Sequence, residues 1–303
     1  MEFEKNRVCQ LFKIKYPIIQ GGMAGISESN LVSAVSNAGG LGVIGAGLMP
    51  ASWLEKEIRA TREKTKNRFG VNLFMQNPKV ENLVRVLMKE KPAVVFTGGG
   101  NPLPVFPYLK MVGIKIVPVV PSPRLAKKME DNGAEAVVVS GWEAGGHVGK
   151  NTLFSLLVET KKLVKIPVIA AGGIYDKETA RAAFFLGAEG IQMGTRFLAS
   201  KECIVSEAYK EKILKATMDD LEVVLWSTGH PIRVIKNVWS EKIKKIEDKI
   251  FPEEIGAERI AGSLGGKNVE EIPLLAGLSA AGISEIKPVK EILEEIGKEL
   301  EKL

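Results

Sequence analysis

The stretches Ile166-Pro-Val-Ile-Ala-Ala-Gly-Gly-Ile174 and Gly190-Ile-Gln-Met-Gly-Thr-Arg-Phe197 decide the fold of this 303-residue chain. Each is a short apolar run that breaks into small residues, a pattern typical of buried parallel strands. Small residues at the end of a strand let backbone N–H groups converge on an anion. If these runs are the seventh and eighth strands of an eight-fold barrel, they lie where such barrels usually bind phosphate. The sequence therefore indicates a phosphorylated ligand.

Six earlier apolar runs bring the number of predicted strands to eight. The predicted strands are 17–20, 41–45, 69–74, 93–97, 115–120, 135–139, 167–171 and 190–193. Helical patterns separate them, at 27–38, 51–65, 78–90, 104–112, 122–132, 152–164 and 176–186. This alternation predicts crossover connections and a parallel sheet. Eight strands before residue 195 predict an α/β fold that closes into a (β/α)8 TIM barrel, rather than an open doubly wound sheet.

Small or polar residues follow nearly every predicted strand at its carboxyl end. They include Gly21-Gly22-Met23-Ala24, Gly45-Ala46-Gly47, Gln76-Asn77, Thr97-Gly98-Gly99-Gly100, residues 141–147, Gly172-Gly173 and Gly194-Thr195. The opposite ends carry plain helix stops at Gly39, Gly113, Gly133 and Gly187. Active sites of barrel enzymes lie at the carboxyl ends of the strands. We therefore expect the functional site at this edge.

The strand–helix rhythm changes after residue 200. Segment 206–265 contains amphipathic helical patterns, many lysines and no barrel strand, and segment 270–300 is again helical. We interpret residues 1–205 and 268–303 as one barrel, which the last helix completes. Residues 206–267 would form a helical lid subdomain, inserted after the eighth strand and folded over the rim. The alternative is a helical extension packed against the side of the barrel.

Composition limits the partners and the compartment. The formal net charge of +6 is concentrated in the first 200 residues, which favours anionic partners such as nucleotides or an acidic carrier protein. No basic block is interleaved with aromatic residues, so we expect no nucleic acid partner. No stretch of 18 uncharged apolar residues occurs, so we expect no membrane span. The two cysteines and the charged residues 1–15 predict a cytoplasmic protein without a signal peptide.

His147 is the main candidate for a catalytic residue. It follows the sixth strand in the glycine-rich run Glu143-Ala-Gly-Gly-His-Val-Gly149, on the rim that carries the predicted anion site. An imidazole with an ordinary pKa of about 6.5 can exchange a proton or hydrogen-bond a carbonyl at neutral pH. The other histidine, His230, belongs to the predicted lid, where a surface position before Pro231 is the simpler interpretation.

Other familiar chemistries lack their motifs. His147 has no second histidine or cysteine at ligand spacing, so we expect no metal site. The nucleophile pattern G-x-S-x-G, the P-loop pattern and a dinucleotide fingerprint after the first strand are absent from the sequence. A rim with a phosphate site and no nucleophile indicates that a bound cofactor does the chemistry.

Five motifs in the same order carry a family resemblance over nearly the whole chain. They are Gln20-Gly-Gly-Met-Ala24, Gly70-Val-Asn-Leu73, Glu143-Ala-Gly-Gly-His147, Ala170-Ala-Gly-Gly-Ile174 and Gln192-Met-Gly-Thr-Arg-Phe197. The chain resembles the flavin mononucleotide (FMN) barrels, the family of nitronate monooxygenases (2-nitropropane dioxygenases) and class II enoyl-acyl-carrier-protein reductases. The runs 101–126, 209–215 and 229–237 are more similar to the reductase branch. Trp142 departs from the smaller residues that the family tolerates in its loop.

The resemblance implies a role for each matching residue. The FMN phosphate would be held by the backbones of Ala171, Gly172, Gly173, Met193, Gly194 and Thr195. The isoalloxazine ring would lie against Gly22, Met23 and Ala24 and be bordered by Ala144, Gly145 and Gly146. Hydrogen bonds to the ring or ribityl chain are expected from Asn72, Thr97 and Gln192. His147 would be the catalytic residue on the substrate side.

The resemblance leaves three functional hypotheses open. In the first, NADH or NADPH reduces FMN, which passes the hydride to a 2-enoyl thioester in fatty acid biosynthesis. The thioester would be a small molecule or bound to an acyl carrier protein. His147 would then bind or protonate near the thioester carbonyl, where enolate charge develops. In the second, FMN and oxygen oxidise an alkyl nitronate, with His147 as base or nitronate anchor. The third is a phosphate- or flavin-binding barrel without catalysis.

Two further expectations come from the resemblance alone. It implies a homodimer. Some reductases of the family carry a loop that binds a monovalent cation, and segment 250–275, where we would look for it, does not align clearly.

Overall fold

The computed structural model describes residues 1–246 and 268–303 and contains a barrel of eight parallel strands. The barrel strands are β1 (Ile18–Gln20), β2 (Gly42–Gly47), β3 (Phe69–Phe74), β4 (Val94–Gly98), β5 (Lys115–Val120), β6 (Val137–Ser140), β8 (Val168–Ala171) and β9 (Gly190–Met193). A two-residue strand, β7 (Gly146–His147), lies outside the barrel. All eight predicted strands are present, which confirms the (β/α)8 TIM barrel.

The seven helices predicted between the strands are also confirmed. The helices are α1 (Arg7–Phe12), α2 (Ser29–Asn37), α3 (Ala51–Lys64), α4 (Val80–Glu90), α5 (Phe106–Met111), α6 (Pro123–Asp131), α7 (Leu153–Leu163), α8 (Lys177–Phe185), α9 (Thr195–Leu198), α10 (Glu207–Lys215), α11 (Val238–Ile246) and α12 (Val289–Glu301). Asp176 begins α8 with a capping box, in which its carboxylate accepts the Thr179 N–H at 2.8 Å. Helix α12 packs against α8 and α2 and so completes the helical layer.

The barrel closes between β1 and β2 through a side chain. One parallel bridge joins Ile19 of β1 to Leu41, the residue just before β2, and β1 is only three residues long. Beyond that bridge, the amide of Gln20 continues the ladder. Its Oε1 accepts the Val43 N–H at 3.1 Å, and its Nε2 donates to the Val43 carbonyl at 3.3 Å. Gln20 is fully buried, so this amide satisfies backbone groups that water cannot reach.

Apolar side chains fill the barrel from the inside and close its amino end. The inner cluster contains Ile19, Leu41, Val43, Phe96, Val117, Val138 and Ile169 from the strands. Val8 and Phe12 of α1 join it, and the rings of Phe12 and Phe96 are 6.1 Å apart. A larger cluster joins the outer faces of the strands to the helices. With the amino end plugged by α1, a ligand cavity must open at the carboxyl ends of the strands.

The segment after β9 corrects one sequence prediction. It contains α10 and α11, but also strands β10 (Leu221–Val224) and β11 (Ile232–Ile235), which form an antiparallel sheet in the order β10-β11-β7. The prediction that segment 206–265 is helical is therefore wrong for residues 221–224 and 232–235. Both are rich in β-branched residues, and β11 forms because the loop before α7 offers it a partner. Residues 247–267 of the predicted lid lie outside the described residues, as does most of segment 250–275.

No helix in the described ranges has the length and apolarity needed to cross a bilayer.

Candidate active site

A cavity of about 740 Å³ opens at the carboxyl ends of the barrel strands. This volume is within the usual range of small-molecule sites, roughly 300–1,000 Å³. The structure brings fifteen of the sixteen predicted site residues to its walls. They are Gly22, Met23, Ala24, Asn72, Ala144, Gly145, Gly146, His147, Ala171, Gly172, Gly173, Gln192, Met193, Gly194 and Thr195.

The two glycine-rich runs are neighbours on one wall of the cavity. Strands β8 and β9 pair in parallel, with Ala171 opposite Gln192, so the residues that follow them emerge side by side. Gly172 and Gly173 turn the chain with φ of +103° and +72°, a region that side chains disfavour. A Cβ on Gly172 would lie 3.0 Å from the Ala144 backbone nitrogen. Three backbone segments therefore meet closely at this wall.

The C-terminal part of the chain supports the same wall. The Gly277 N–H donates to the Thr195 hydroxyl at 2.9 Å, and the Leu278 N–H donates to the Glu143 carbonyl at 2.9 Å. A Cβ on Gly145 would lie 2.5 Å from the Gly277 nitrogen, so the two loops are in backbone contact. Loop 276–279 was not among the predicted site segments. The contacts of Gly277 with Gly145 and Thr195 exist only in the folded chain, so no local pattern predicts them.

Two side-chain amides flank the loop that follows β1. A Cβ on Gly22 would lie 2.4 Å from the Asn72 Cβ, and one on Gly21 would lie 3.1 Å from the Gln192 Cγ. The loop itself is fixed by Ser27, whose hydroxyl accepts the Met23 N–H at 2.7 Å. The glycines thus allow the 21–24 backbone to lie directly against the amide-bearing residues of β3 and β9.

Thr97 is the predicted site residue that the structure does not bring to the cavity. Along β4 the side chains alternate: Phe96 lies in the inner cluster, and Val95 lies in the outer one with the helices. Thr97 shares the face of Val95 and is buried, and its hydroxyl has no hydrogen-bond partner in the described chain. Its position gives no support to the expectation that it hydrogen-bonds a flavin.

His147 faces the cavity from the short strand β7. Its backbone pairs with Ile232 of β11, so the second sheet holds it above the barrel. The imidazole lies with its centroid 5.2 Å from the ring of Phe74 and 6.5 Å from that of His230. His230 in turn lies 3.2 Å from the Gln76 side-chain nitrogen.

The surroundings of His147 favour its neutral form. The side chain is exposed to the cavity, but the surrounding protein, including the Phe74 ring 5.2 Å away, removes part of its hydration. This desolvation, with a smaller contribution from His230, lowers the pKa of His147 to about 4. The imidazole is therefore uncharged at neutral pH and offers one N–H donor and one acceptor.

The far wall of the cavity contains residues that the sequence analysis did not assign to the site. Most of them are apolar: Leu48, Phe74, Leu225, Ile232, Pro273 and Leu275. Two polar residues, Gln76 and His230, line the cavity beside them. His230, for which a surface position was the simpler interpretation, is partly exposed and also lines the cavity, because it lies in the β10–β11 turn at the cavity wall. Leu225 has φ of +66°, unusual for a leucine, but no sequence pattern signals that conformation.

The fold and this cavity define a (β/α)8-barrel enzyme whose site lies at the carboxyl ends of its strands. The chain belongs to the nitronate monooxygenase family, whose model matches residues 5–84 and 79–299. It is therefore an FMN-dependent oxidoreductase, as the resemblance implied.

Relatives on both sides of the family are similar to this chain. A probable nitronate monooxygenase of Staphylococcus aureus is 35% identical, with 82% of this chain and 83% of the relative covered. The structure of FabK from Thermotoga maritima is 44% identical, with a TM-score of 0.92 and coverage of 98% and 96%. The structure of a nitroalkane oxidase from Streptomyces ansochromogenes is 26% identical, with a TM-score of 0.87 and 98% of each chain covered.

Proposed function

We propose that this protein is a class II enoyl-acyl-carrier-protein reductase, which uses FMN and NADH or NADPH to reduce a 2-enoyl thioester. The likeness to FabK, an enoyl-acyl-carrier-protein reductase II, carries the choice of activity, because it spans 98% of the chain at 44% identity. The nitroalkane oxidase covers the chain equally well at only 26% identity. An apolar far wall also suits the acyl part of such a substrate.

The glycine-rich wall fits a phosphorylated, planar cofactor. Backbone segments 172–173 and 194–195 adjoin there without side chains that would fill the space, as a phosphate site requires. Residues 171–173 and 193–195 would hold the phosphate of FMN, and Asn72 and Gln192 would hydrogen-bond its ring or ribityl chain. The backbones 22–24 and 144–146 would border the ring. Bound there, FMN would supply hydride transfer between the nicotinamide and the substrate.

His147 would bind the substrate carbonyl. A neutral imidazole at neutral pH donates one N–H, and a thioester oxygen that gains negative charge accepts it more strongly than the ground-state carbonyl does. The depressed pKa of His147 argues against an imidazolium acid, so its contribution is a directed hydrogen bond. The β10–β11 turn would cover the substrate and exclude water from this oxygen.

The second candidate is a nitronate monooxygenase. It is favoured by the sequence relatives, which are named probable nitronate monooxygenase at 35% identity. A neutral His147 with a free acceptor nitrogen would equally serve as a base or as an anchor for a nitronate.

Anaerobic reaction of the purified flavoprotein separates the two activities. A reductase is bleached by NADH or NADPH and recoloured by crotonyl thioester, with one product formed per flavin oxidised. A monooxygenase ignores the thioester and turns over alkyl nitronate in air. The second pattern, with no response to the thioester, would exclude the proposed reductase.

We propose that the enzyme acts in the cytoplasm as a homodimer, that residues 1–205 and 268–303 form its barrel, and that residues 206–267 form its lid. The positive charge of the barrel portion would suit an acidic acyl carrier protein at the rim. A monovalent cation would be sought in segment 250–275, by comparing activity in potassium and in tetramethylammonium salts.

A further inference from the structure

The loop that carries His147 cannot hold its own shape. Residues 141–149 contain four glycines, and Gly146 has φ of +68°. Within the loop, the Ala144 N–H bonds the Gly141 carbonyl at 3.1 Å, and other bonds lead outward, as from the Trp142 N–H to the Asn151 carbonyl. Glycine-rich backbone has a high entropy cost of ordering. The position of the imidazole therefore depends on contacts from outside the loop.

Arg233 of β11 supplies those contacts with its side chain. Its Nη2 donates to the Trp142 carbonyl at 2.9 Å, and its Nε donates to the Ala144 carbonyl at 3.3 Å. The carbonyl between them, that of Glu143, accepts the Leu278 N–H. Three successive carbonyls of the loop are thus each held from outside.

The same arginine also holds the loop through its backbone and its planar face. Its backbone is opposite Gly146 in the β7–β11 ladder, one residue before the imidazole. Its guanidinium carbon lies 4.7 Å from the centre of the Trp142 ring, and that ring stacks on Trp226 at 5.7 Å. Arg233 therefore fixes both the start and the end of the segment that precedes His147.

The burial of this charge is costly and calls for a reason. Arg233 is 3% exposed, and no carboxylate lies within ion-pair distance of it in residues 1–246 and 268–303, although the Glu143 carboxylate attracts it from farther away. A buried charge whose direct contacts are carbonyls and a ring face is no efficient source of stability. An apolar side chain would fill the space at lower cost, but it could not hold two carbonyls in a fixed orientation.

We propose that Arg233 is a positioning residue that sets the place and the environment of the His147 imidazole through loop 142–146. In the proposed reductase, which this inference deepens, it would keep the imidazole N–H directed at the substrate oxygen. A displacement of about 1 Å at a reacting group costs on the order of 10²-fold in rate. Lysine cannot replace it, because a single ammonium group does not form the two-pronged contact.

The test compares Arg233→Lys and Arg233→Met with Arg181→Lys in the purified flavoprotein. Arg181 is a matched control, because its guanidinium also lies over an aromatic ring, that of Phe185. It is in the outer helical layer, away from the cavity, and pairs with Glu299. Both Arg233 variants should lose on the order of 10²-fold in kcat, with KM for crotonyl thioester little changed. The control should keep the wild-type kcat.

An NMR titration gives a readout that does not require the reductase activity. The chain has two histidines, so a His230→Gln background assigns the remaining signal to His147. The other titratable side chains that line the cavity are Lys79, Glu143 and His230. In the Arg233 variants the loosened loop admits water, and the pKa of His147 should rise from about 4 toward its ordinary value.

The outcomes are separable. A wild-type His147 titration in both Arg233 variants would overturn the positioning role, whatever the activity. Loss of far-UV circular dichroism in both variants would overturn it too, because the arginine would then support the whole fold. If the wild-type protein itself does not reduce enoyl thioesters, the proposed function fails, and a raised pKa in the variants still supports Arg233 as the positioning residue.

Discussion

Replacing Gln20 by leucine tests how the barrel is closed. The substitution keeps a side chain of similar size at a fully buried position but removes the amide that bonds the Val43 N–H and carbonyl. Both backbone groups then face an apolar interior without partners. A buried polar group left unsatisfied costs about 1–3 kcal/mol, and the apolar leucine returns about 1 kcal/mol. With two such groups, we expect a net loss of about 1–5 kcal/mol in the free energy of unfolding.

The assay is equilibrium unfolding in urea, followed by circular dichroism, of the wild-type flavoprotein and two variants. Gln10→Leu is the matched control, because the Gln10 amide makes one exposed bond to the Glu4 carbonyl at 2.9 Å. That variant should change stability by less than about 0.5 kcal/mol. Equal unfolding midpoints for Gln20→Leu and Gln10→Leu, at equal slopes, would refute the side-chain closure of the β1–β2 seam.

Three further predictions concern the site. Thr97→Val should leave the affinity for FMN unchanged and the stability equal or higher, because it removes a buried hydroxyl that has no partner in the described chain. Weaker FMN binding by this variant in a fluorescence titration would show that Thr97 belongs to the site. Gly45→Ala should weaken FMN binding and lower the melting temperature, because its Cβ would lie 2.2 Å from the Met23 carbonyl oxygen; an unchanged affinity would contradict this. Stability should fall as the pH drops from about 6.5 to about 4, since the unfolded chain protonates His147 there and the folded chain does not. His147→Gln should remove that part of the pH dependence in urea midpoints, and an identical profile would show that His147 has an ordinary pKa.

The comparison of Arg233 with Gln20 shows two uses of a buried polar side chain. Gln20 completes a ladder that the short strand β1 leaves unfinished, so its contribution is to the stability of the barrel. Arg233 bonds carbonyls in a glycine-rich loop, so its contribution is to the position of one ring. Both side chains bond backbone atoms more than 20 positions away in the sequence, so sequence motifs alone do not reveal these partners, even for Gln20, which begins the motif Gln20-Gly-Gly-Met-Ala24.

The barrel and most of the cavity wall could be predicted from local sequence alone. Buried parallel strands are short apolar runs, helices have their own period, and glycines stop helices where the chain needs a positive φ. These signals lie within a few residues of each other, so β8, β9 and the glycines after them can be located from their own residue types. Parallel pairing then places consecutive strand ends side by side, which brings the segments 171–173 and 193–195 together.

The tertiary structure alone decided the rest. Thr97 shares a run with the rim glycines, but alternation along β4 turns it away from the cavity, and only the register of the whole strand shows this. The β10–β11 sheet forms against the His147 loop, a partner more than 80 residues earlier, so a local pattern could not predict it. The pKa of His147 likewise depends on desolvation by parts of the chain that are distant in sequence. Residue type and period are local properties, whereas facing direction, burial and pairing exist only once distant segments are packed together.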